Sequence, residues 1–536
     1  MLKTRFFLLF FLFAVTTAAQ TPTPFGFSSQ MSTTLSQGST GNGNPTTGCW
    51  DTGSVGLNPY YFCLPDSSIA GNTIVAACEW GSTSGLGTPT LVDDQKQIYT
   101  SQMQQIRSGG YSVQAWIFSN TLANAHQLKL SWSGTPPSGN MKCNAFQVAN
   151  VAPSSPSCGT AVGANYTSGT AVSAGTITAS QSGCLFVQVG SEDGGALATW
   201  APGSSWTLQD ADPRVGFAIQ TIVAGSGSTT CSMSISTGSS GATLCFALLP
   251  SLAAQGSVPT GMYVSHMQLA PAFDGVSSYT YQFPGSGNLC VMTSSSNTTD
   301  ALPNSVTSTN PTATWTKVGA TVMGGEGNET VWYAGDNVGC TPATTITVRF
   351  TSSGTNTDDI YFLDLSGAAT SSVLDTCTGG GGASCANSLW SNSGNQGGFS
   401  SPMTIGTFTP GSSGGMIIVT GGIADNGSTS FSPTGYQDDQ DNNDLHAHYK
   451  YTSNATQTFA ISPDERQAAG GMGPWSVAAV AFKAASLSSG SSPASSISVT
   501  LAPTAIPTRS TRPTGANDKV YVGGQGSITV FGLLPN

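Results

Sequence analysis

Two nine-residue stretches decide the fold: SGCLFVQVG at Ser182–Gly190 and SGGMIIVTG at Ser413–Gly421. Each starts with a small-residue turn, runs through an unbroken β-branched and aromatic segment, and stops at glycine. A short apolar run bounded by turn residues reads as a strand buried on both faces. The likeness of the two extends outward in both directions. YYFCLPDSSIAGNTIVAAC (Tyr60–Cys78) matches YTYQFPGSGNLCVMTS (Tyr279–Ser294), and VQAWIFSNTLANAHQLKLSWSG (Val113–Gly134) matches ETVWYAGDNVGCTPATTITVRFTSSG (Glu329–Gly354). NAFQVANVAPSSPSC (Asn144–Cys158) matches YFLDLSGAATSSVLDTC (Tyr361–Cys377), and TTCSMSIS (Thr229–Ser236) matches TQTFAIS (Thr456–Ser462). The five pairs keep one order at an offset of roughly 215–235 residues, the signature of an internal duplication.

The remaining pattern is all-β. LKLSW and TITVRF alternate apolar with polar, as half-buried strands do, while TIVAAC and VAAVAF are nearly continuous apolar runs. Gly, Ser, Asn and Pro clusters fall between them, and no amphipathic helix stands out. These features predict two tandem homologous β-sandwich domains of jelly-roll type with a Ser/Thr/Pro-rich C-terminal tail. Unit one is expected over residues 50–252 and unit two over 257–485. Residues 20–49 read as a loose lead-in, 486–516 as an extended stalk, and 517–536 as a short terminal hairpin too small to form its own core. The pieces GNTIVAAC, VQAWIFSN…LKLSW and GPWSVAAVAFK resemble tandem secreted bacterial β-sandwich domains of lectin-like or carbohydrate-binding-like type, over roughly residues 55–485. That resemblance implies an extracellular binding or surface role.

MLKTRFFLLFFLFAVTTAAQ opens the chain. Lys3 and Arg5, then an apolar run from Phe6 to Val15, then small residues, give the pattern of a secretory leader cleaved near Ala19. The run is too short for a transmembrane helix, and no later segment is long and apolar enough. The expected location is outside the cell or on its surface. Twelve cysteines in an exported chain imply disulfides. Neighbours in sequence that could pair are Cys49 with Cys63, Cys143 with Cys158, Cys231 with Cys245 and Cys377 with Cys385, although spacing alone does not fix connectivity. With 15 basic and 26 acidic residues, a formal charge of -11 and no basic stripe, nucleic acid is an unsuitable partner.

Catalytic patterns are weak. Of the five glutamates, Glu192, Glu326 and Glu329 read as solvated loop acids, and Glu79 beside Trp80 as the end of a strand leaving the core. None falls in the paired-carboxylate spacing that glycoside hydrolysis uses. No nucleophile elbow or phosphate loop occurs, so the expectation is a protein that is not an enzyme. DDQDNNDLHAHYK (Asp438–Lys450) concentrates acids and two of the four histidines in a charge-poor chain. Asp439-x-Asp441-x-Asn443 has the oxygen spacing of a calcium loop start, but the Gly and Glu that complete an EF-hand are missing. The stretch therefore reads as a turn, Asp438–Asp444, followed by a strand. Calcium is the cofactor its oxygens would take. His446 and His448, two apart on a strand, share a face and form a workable metal pair with Asp441 or Asp444. Comparison with QDADPRVGFAIQTI (Gln209–Ile222) places Gly216 and Ala218 where the two histidines stand.

Tryptophans grip sugars through their flat faces. Trp200, Trp206 and Trp390, in segments rich in Asn, Gln and Ser, are the candidate ligand-binding residues, with core plugging as the alternative. The sequons at Asn165, Asn297, Asn328, Asn426 and Asn454 are expected by chance in such a composition. The sequence thus predicts a non-catalytic extracellular binder of carbohydrate or a cell-surface polymer. The alternatives are an adhesive protein that self-associates through its C-terminal strands, or a polysaccharide-active enzyme with an unfamiliar site.

Overall fold

The computed structural model describes residues 19–32, 59–81, 86–105, 110–137, 141–193, 199–212, 216–271, 277–297, 301–324, 327–340, 345–351, 359–380, 384–386, 388–394, 403–423, 437–442, 445–451, 455–461 and 475–485, with 499–500, 514–516, 519–524 and 527–532 near the C-terminus. Among these the regular elements are all strands. The chain divides into two compact units, Met1–Ala485 and Ser486–Asn536.

An 11-stranded sheet runs through the middle of the first unit. One side of it is built from Thr100–Gln105, Tyr111–Phe118, Thr73–Gly81 and Met141–Ala149; the other from Tyr263–Pro271, Asp359–Ser366, Leu289–Asn297 and Gly327–Tyr333, with two short strands at the far edge. Between the two sides lies strand β1, Thr23–Ser32. It pairs antiparallel with Met141–Ala149 from Thr23↔Ala149 to Ser32↔Met141, and parallel with Tyr263–Pro271 at Phe27↔His266. A bulge between Phe25 and Ser28 carries Gly26 at φ +67, a left-handed conformation that glycine adopts without strain. The expected loose lead-in is thus corrected over 23–32: these residues form a central strand. Phe25 and Phe27 supply the reason, since both are buried and Phe27 stacks on Phe146 at 4.3 Å. The sheet also crosses the expected boundary at 252–257, so the halves form one body.

Burial on both faces follows the apolar runs. Thr73–Gly81 has every residue but the last buried, and Cys184–Glu192 is buried throughout. Ile74, Ala76, Cys78 and Trp80 face an outer three-stranded sheet through Tyr60, Phe62, Leu128 and Leu130. Val75 and Ala77 face the other way, onto Leu185, Val187, Phe217 and Ile219 of a six-stranded sheet. The outer strands Gln127–Trp132 and Thr345–Phe350 alternate, as LKLSW and TITVRF predict. Each half is therefore a stack with the central sheet inside it.

The two halves repeat one pairing pattern. Leu185–Glu192 pairs with both Phe217–Leu248 flanks as Met416–Ile423 pairs with Leu445–Tyr451 and Trp475–Phe482. Even a register irregularity recurs, between Leu208 and Asp210 in the first half and between Asp438 and Gln440 in the second.

Four disulfides are described: Cys78–Cys143, Cys158–Cys184, Cys231–Cys245 and Cys290–Cys340. Only Cys231–Cys245 is among the sequence neighbours considered. Cys143 and Cys158 each take a different partner, because sheet pairing sets Cys143 opposite Cys78 across adjacent strands. Cys63 is also disulfide-bonded. Cys49 lies outside the described residues, and the side chains of Cys377 and Cys385 are likewise not described.

In the second unit, Lys519–Gly524 and Ser527–Gly532 form the expected hairpin. Val499–Thr500 and Thr514–Ala516 pair onto its two sides, so the expected stalk contributes strands to a four-stranded sheet.

Candidate functional site

Charged and amide side chains inside an apolar strand are costly unless partnered, so the run Met141-Lys142-Cys143-Asn144-Ala145-Phe146-Gln147 points to a site. Lys142, Asn144 and Gln147 are all buried. Lys142 Nζ lies 3.6 Å from Asp210 Oδ2 and 5.3 Å from the centre of the Phe217 ring. Asn144 Nδ2 donates to the same Asp210 oxygen at 3.0 Å. Next along the Thr207–Asp212 strand, Gln209 Oε1 is 3.2 Å from Nε2 of His266, which sits on the central sheet. The His266 ring lies flat on Phe27, with centroids 4.8 Å apart and planes 6° from parallel. Its Nδ1 is 3.7 Å from Asp364 Oδ2.

Asp364 also accepts hydrogen bonds from the backbone N–H groups of Ser286, Gly287 and Cys340, which fastens the loop ahead of Leu289–Asn297. Gln147 does the equivalent work in the first half, accepting from Ile69 N–H and Asn72 Nδ2. A buried polar residue on the central sheet thus holds the preceding loop in both halves.

Phe27, Asn144, Gln209, Asp210, His266 and Phe283 line a crevice of about 150 Å³, including the part open to solvent. Ligand pockets run to roughly 300–1,000 Å³, so this crevice does not accommodate a sugar chain. The cluster's geometry suits internal polar chemistry better than recognition of an outside molecule.

Glu79, Glu192 and Glu329 are buried, which corrects their reading as loop acids or as a departing strand end. Sheet pairing is the reason: all three lie within strands. Glu329 accepts from Ser295 Oγ at 2.8 Å, Ser476 Oγ at 3.0 Å and Thr420 Oγ1 at 3.0 Å, bridging two sheets through hydroxyls. Burial pushes the Glu192 carboxyl above its ordinary range, with Ser239 opposing and Asp193 adding to the shift. Glu326 lies outside the described residues.

The three candidate tryptophans are not brought together, and none offers a free face. Trp200 is packed among Val172, Leu208, Ala218 and Met233, and Trp206 among Phe186, Cys231 and Cys245. Trp390 is fully buried and lies 4.9 Å from Phe408. Their place as sugar platforms is therefore corrected to core filling: the long ribbon of Val162–Ala179 and Gly227–Leu248 packs its apolar side chains against Trp200 and Trp206, and Trp390 packs against Phe408 of the strand Met403–Pro410.

Of the candidate metal residues, Asp439 and Asp441 lie on the edge strand Gln437–Asn442, and His446 and His448 on Leu445–Tyr451. The acidic run from Asp438 to Asn442 is thus strand rather than turn. Register sets Asp441 opposite His446 and Asp438 opposite His448. Asn443 and Asp444 lie outside the described residues, as do the side chains of the others. Aligning the two halves through their shared pairing moves the sequence match by two residues: His446 corresponds to Ala218 and His448 to Gln220. In the first half that face is covered, with Ala218 packed on Trp200 and Gln220 donating to Gln188 Oε1 at 2.7 Å. Among the described residues, no group of three or more His, Cys, Asp or Glu is gathered as a metal site.

No protein-family model matches the chain, and no curated protein shows significant similarity to it. The resemblance to secreted bacterial β-sandwich domains rests on the quoted strands alone.

Proposed function

We propose that this chain is a non-catalytic extracellular scaffold that presents rigid β-faces to carbohydrate or another cell-surface polymer. The observation that carries the reading is a set of hydroxyl pairs across exposed strand faces. Thr176 and Thr230 are 3.2 Å apart, Thr178 and Ser228 3.1 Å, Thr280 and Thr347 2.9 Å, and Thr409 and Thr456 3.2 Å. The pairs lie on three separate sheets; cross-strand hydroxyl pairs hold their groups in register, so each of these faces offers fixed donors and acceptors. A polyhydroxylated polymer is matched by such groups through many weak contacts. Disulfides suit an oxidising location, and the leader pattern of the first nineteen residues agrees with export.

Co-sedimentation of the purified chain with insoluble polysaccharides and cell-wall fractions tests this. Thr176→Arg with Thr178→Arg should abolish retention without lowering the melting temperature. Retention by no polymer, or release of reducing ends from one, would sink the reading.

A second reading has its own support: the four-stranded sheet of residues 499–532 belongs to a unit separate from residues 1–485. It supports self-association through the C-terminal strands. Concentration-dependent assembly that survives deletion of residues 486–536 would contradict it.

A further inference from the structure

Lys142, Asp210 and Glu79 meet inside the first half in an arrangement that neither binding nor assembly uses. Lys142 has a side-chain exposure of 0% and Asp210 of 4%, with Nζ and Oδ2 3.6 Å apart. Glu79 stands directly opposite Lys142 across the antiparallel strands Thr73–Gly81 and Met141–Ala149, which places their Cβ atoms about 4.5–5.5 Å apart on one face. Glu79 is itself 1% exposed. The surroundings are apolar: Phe217 lies under the ammonium, and Phe146, Val113 and Ile219 belong to the same core. Asn144 Nδ2 donates to Asp210 Oδ2 and fixes that carboxyl against rotation.

We infer that Lys142 and Asp210 condense into an intramolecular isopeptide bond, with Glu79 carrying the proton. An ammonium beside a carboxylate and an amine beside a carboxylic acid differ by one proton transfer. In the neutral form the Nζ lone pair attacks Cγ of Asp210. Glu79 takes a proton from the nitrogen and delivers it to the Asp210 hydroxyl oxygen, the C–O bond breaks, and one water leaves. The N–Cγ bond is the one bond gained between the two side chains; no oxidant or co-reactant is consumed.

Two physical effects favour the step. Fixed juxtaposition replaces a bimolecular encounter, with effective molarities on the order of 10⁵–10⁸ M in well-oriented cases. Buried ion pairs carry a desolvation penalty at each ion, and a neutral amide carries none of the charge. The product would tie strand Met141–Ala149 to strand Thr207–Asp212 with a link that reductants cannot open. The second half is an internal control: by register, Lys142 and Glu79 correspond to Asp359 and Ser295, and Asp210 to Gln440. No lysine stands there.

The test is mass spectrometry of the full secreted chain after reduction and alkylation. The expected result is an intact mass one water below that of the processed sequence, with a cross-linked peptide containing Lys142 and Asp210. Glu79→Gln, close in shape to the native side chain, should restore the full mass while leaving a folded protein by circular dichroism. Lys142→Arg should do the same. The wild-type measurement stands without either variant: if proteolysis yields the Lys142 and Asp210 peptides only as separate species, the inference is overturned, even if water is lost elsewhere in the chain.

Discussion

Replacing Phe27 by alanine should cost this protein about 4 kcal/mol. Phe27 is 2% exposed and stacks on Phe146 at 4.3 Å and on His266 at 4.8 Å. An aromatic side chain buries about 150–250 Å², which at about 25 cal/mol per Å² corresponds to about 4–6 kcal/mol. The alanine retains Cβ, and the unfolded chain already hides part of the ring, so the expected loss falls in the range of about 3–5 kcal/mol found for such truncations. Urea unfolding followed by circular dichroism and by tryptophan fluorescence reads this. The midpoint should drop with little change in slope, and both probes should move together, because β1 is shared by the two halves of the central sheet. A double-mutant cycle with Phe146→Ala should give a coupling of about 1 kcal/mol. A loss below about 1 kcal/mol would refute the packing of β1 between the halves.

Two further outcomes rest on burial elsewhere in the first half. Trp206→Ala should lower stability by about 3–5 kcal/mol through loss of core packing, and any loss of polymer binding should track unfolding; loss of binding at unchanged melting temperature would return Trp206 to the binding surface. Burial lowers the pKa of His126 from 6.5 to about 4, with Asp94 opposing. The unfolded state therefore takes up a proton first as pH falls, so stability contributed above pH 6.5 is lost progressively down to about pH 4. The full shift is equivalent to about 3 kcal/mol, and the ring's residual exposure brings the expected loss nearer 2 kcal/mol. Burial raises the Asp93 and Glu192 carboxyls, and these act with opposite sign, favouring the folded state at low pH. His126→Gln should flatten the loss between pH 6.5 and 4 in denaturant titrations; an unchanged slope would contradict the assignment.

The all-β class was legible because burial on both faces leaves an unmistakable record. TIVAAC and MIIVTG read as apolar runs since sheets cover both their sides, and the alternation in LKLSW records one solvated face. What stayed hidden are features that depend on which strands meet. Pro24, Phe25 and Phe27 sit in a Ser/Thr/Gly-rich stretch whose composition masks a central strand. Trp200 and Trp206 look exposed among Ser and Gly, yet the long ribbon that covers them lies elsewhere in the sequence. The match of the Asp438–Lys450 stretch to the first half shifts by two residues because only two residues separate Asn442 from Leu445 where four separate Asp212 from Phe217, a difference that shows once the strands are paired. For the buried Lys142–Asp210 pair, the signal was present: a lysine within an apolar strand of a chain that is only 8% charged.

Hydrogen exchange of the backbone amides of Thr23–Ser32 tests the central claim most directly, since it asks whether β1 joins the two halves of the sheet. These amides should exchange with the slowest class in the protein, alongside Val75–Cys78 and Leu363–Leu365, and only through global opening. Exchange within seconds at neutral pH, as for an unpaired lead-in, would contradict the account.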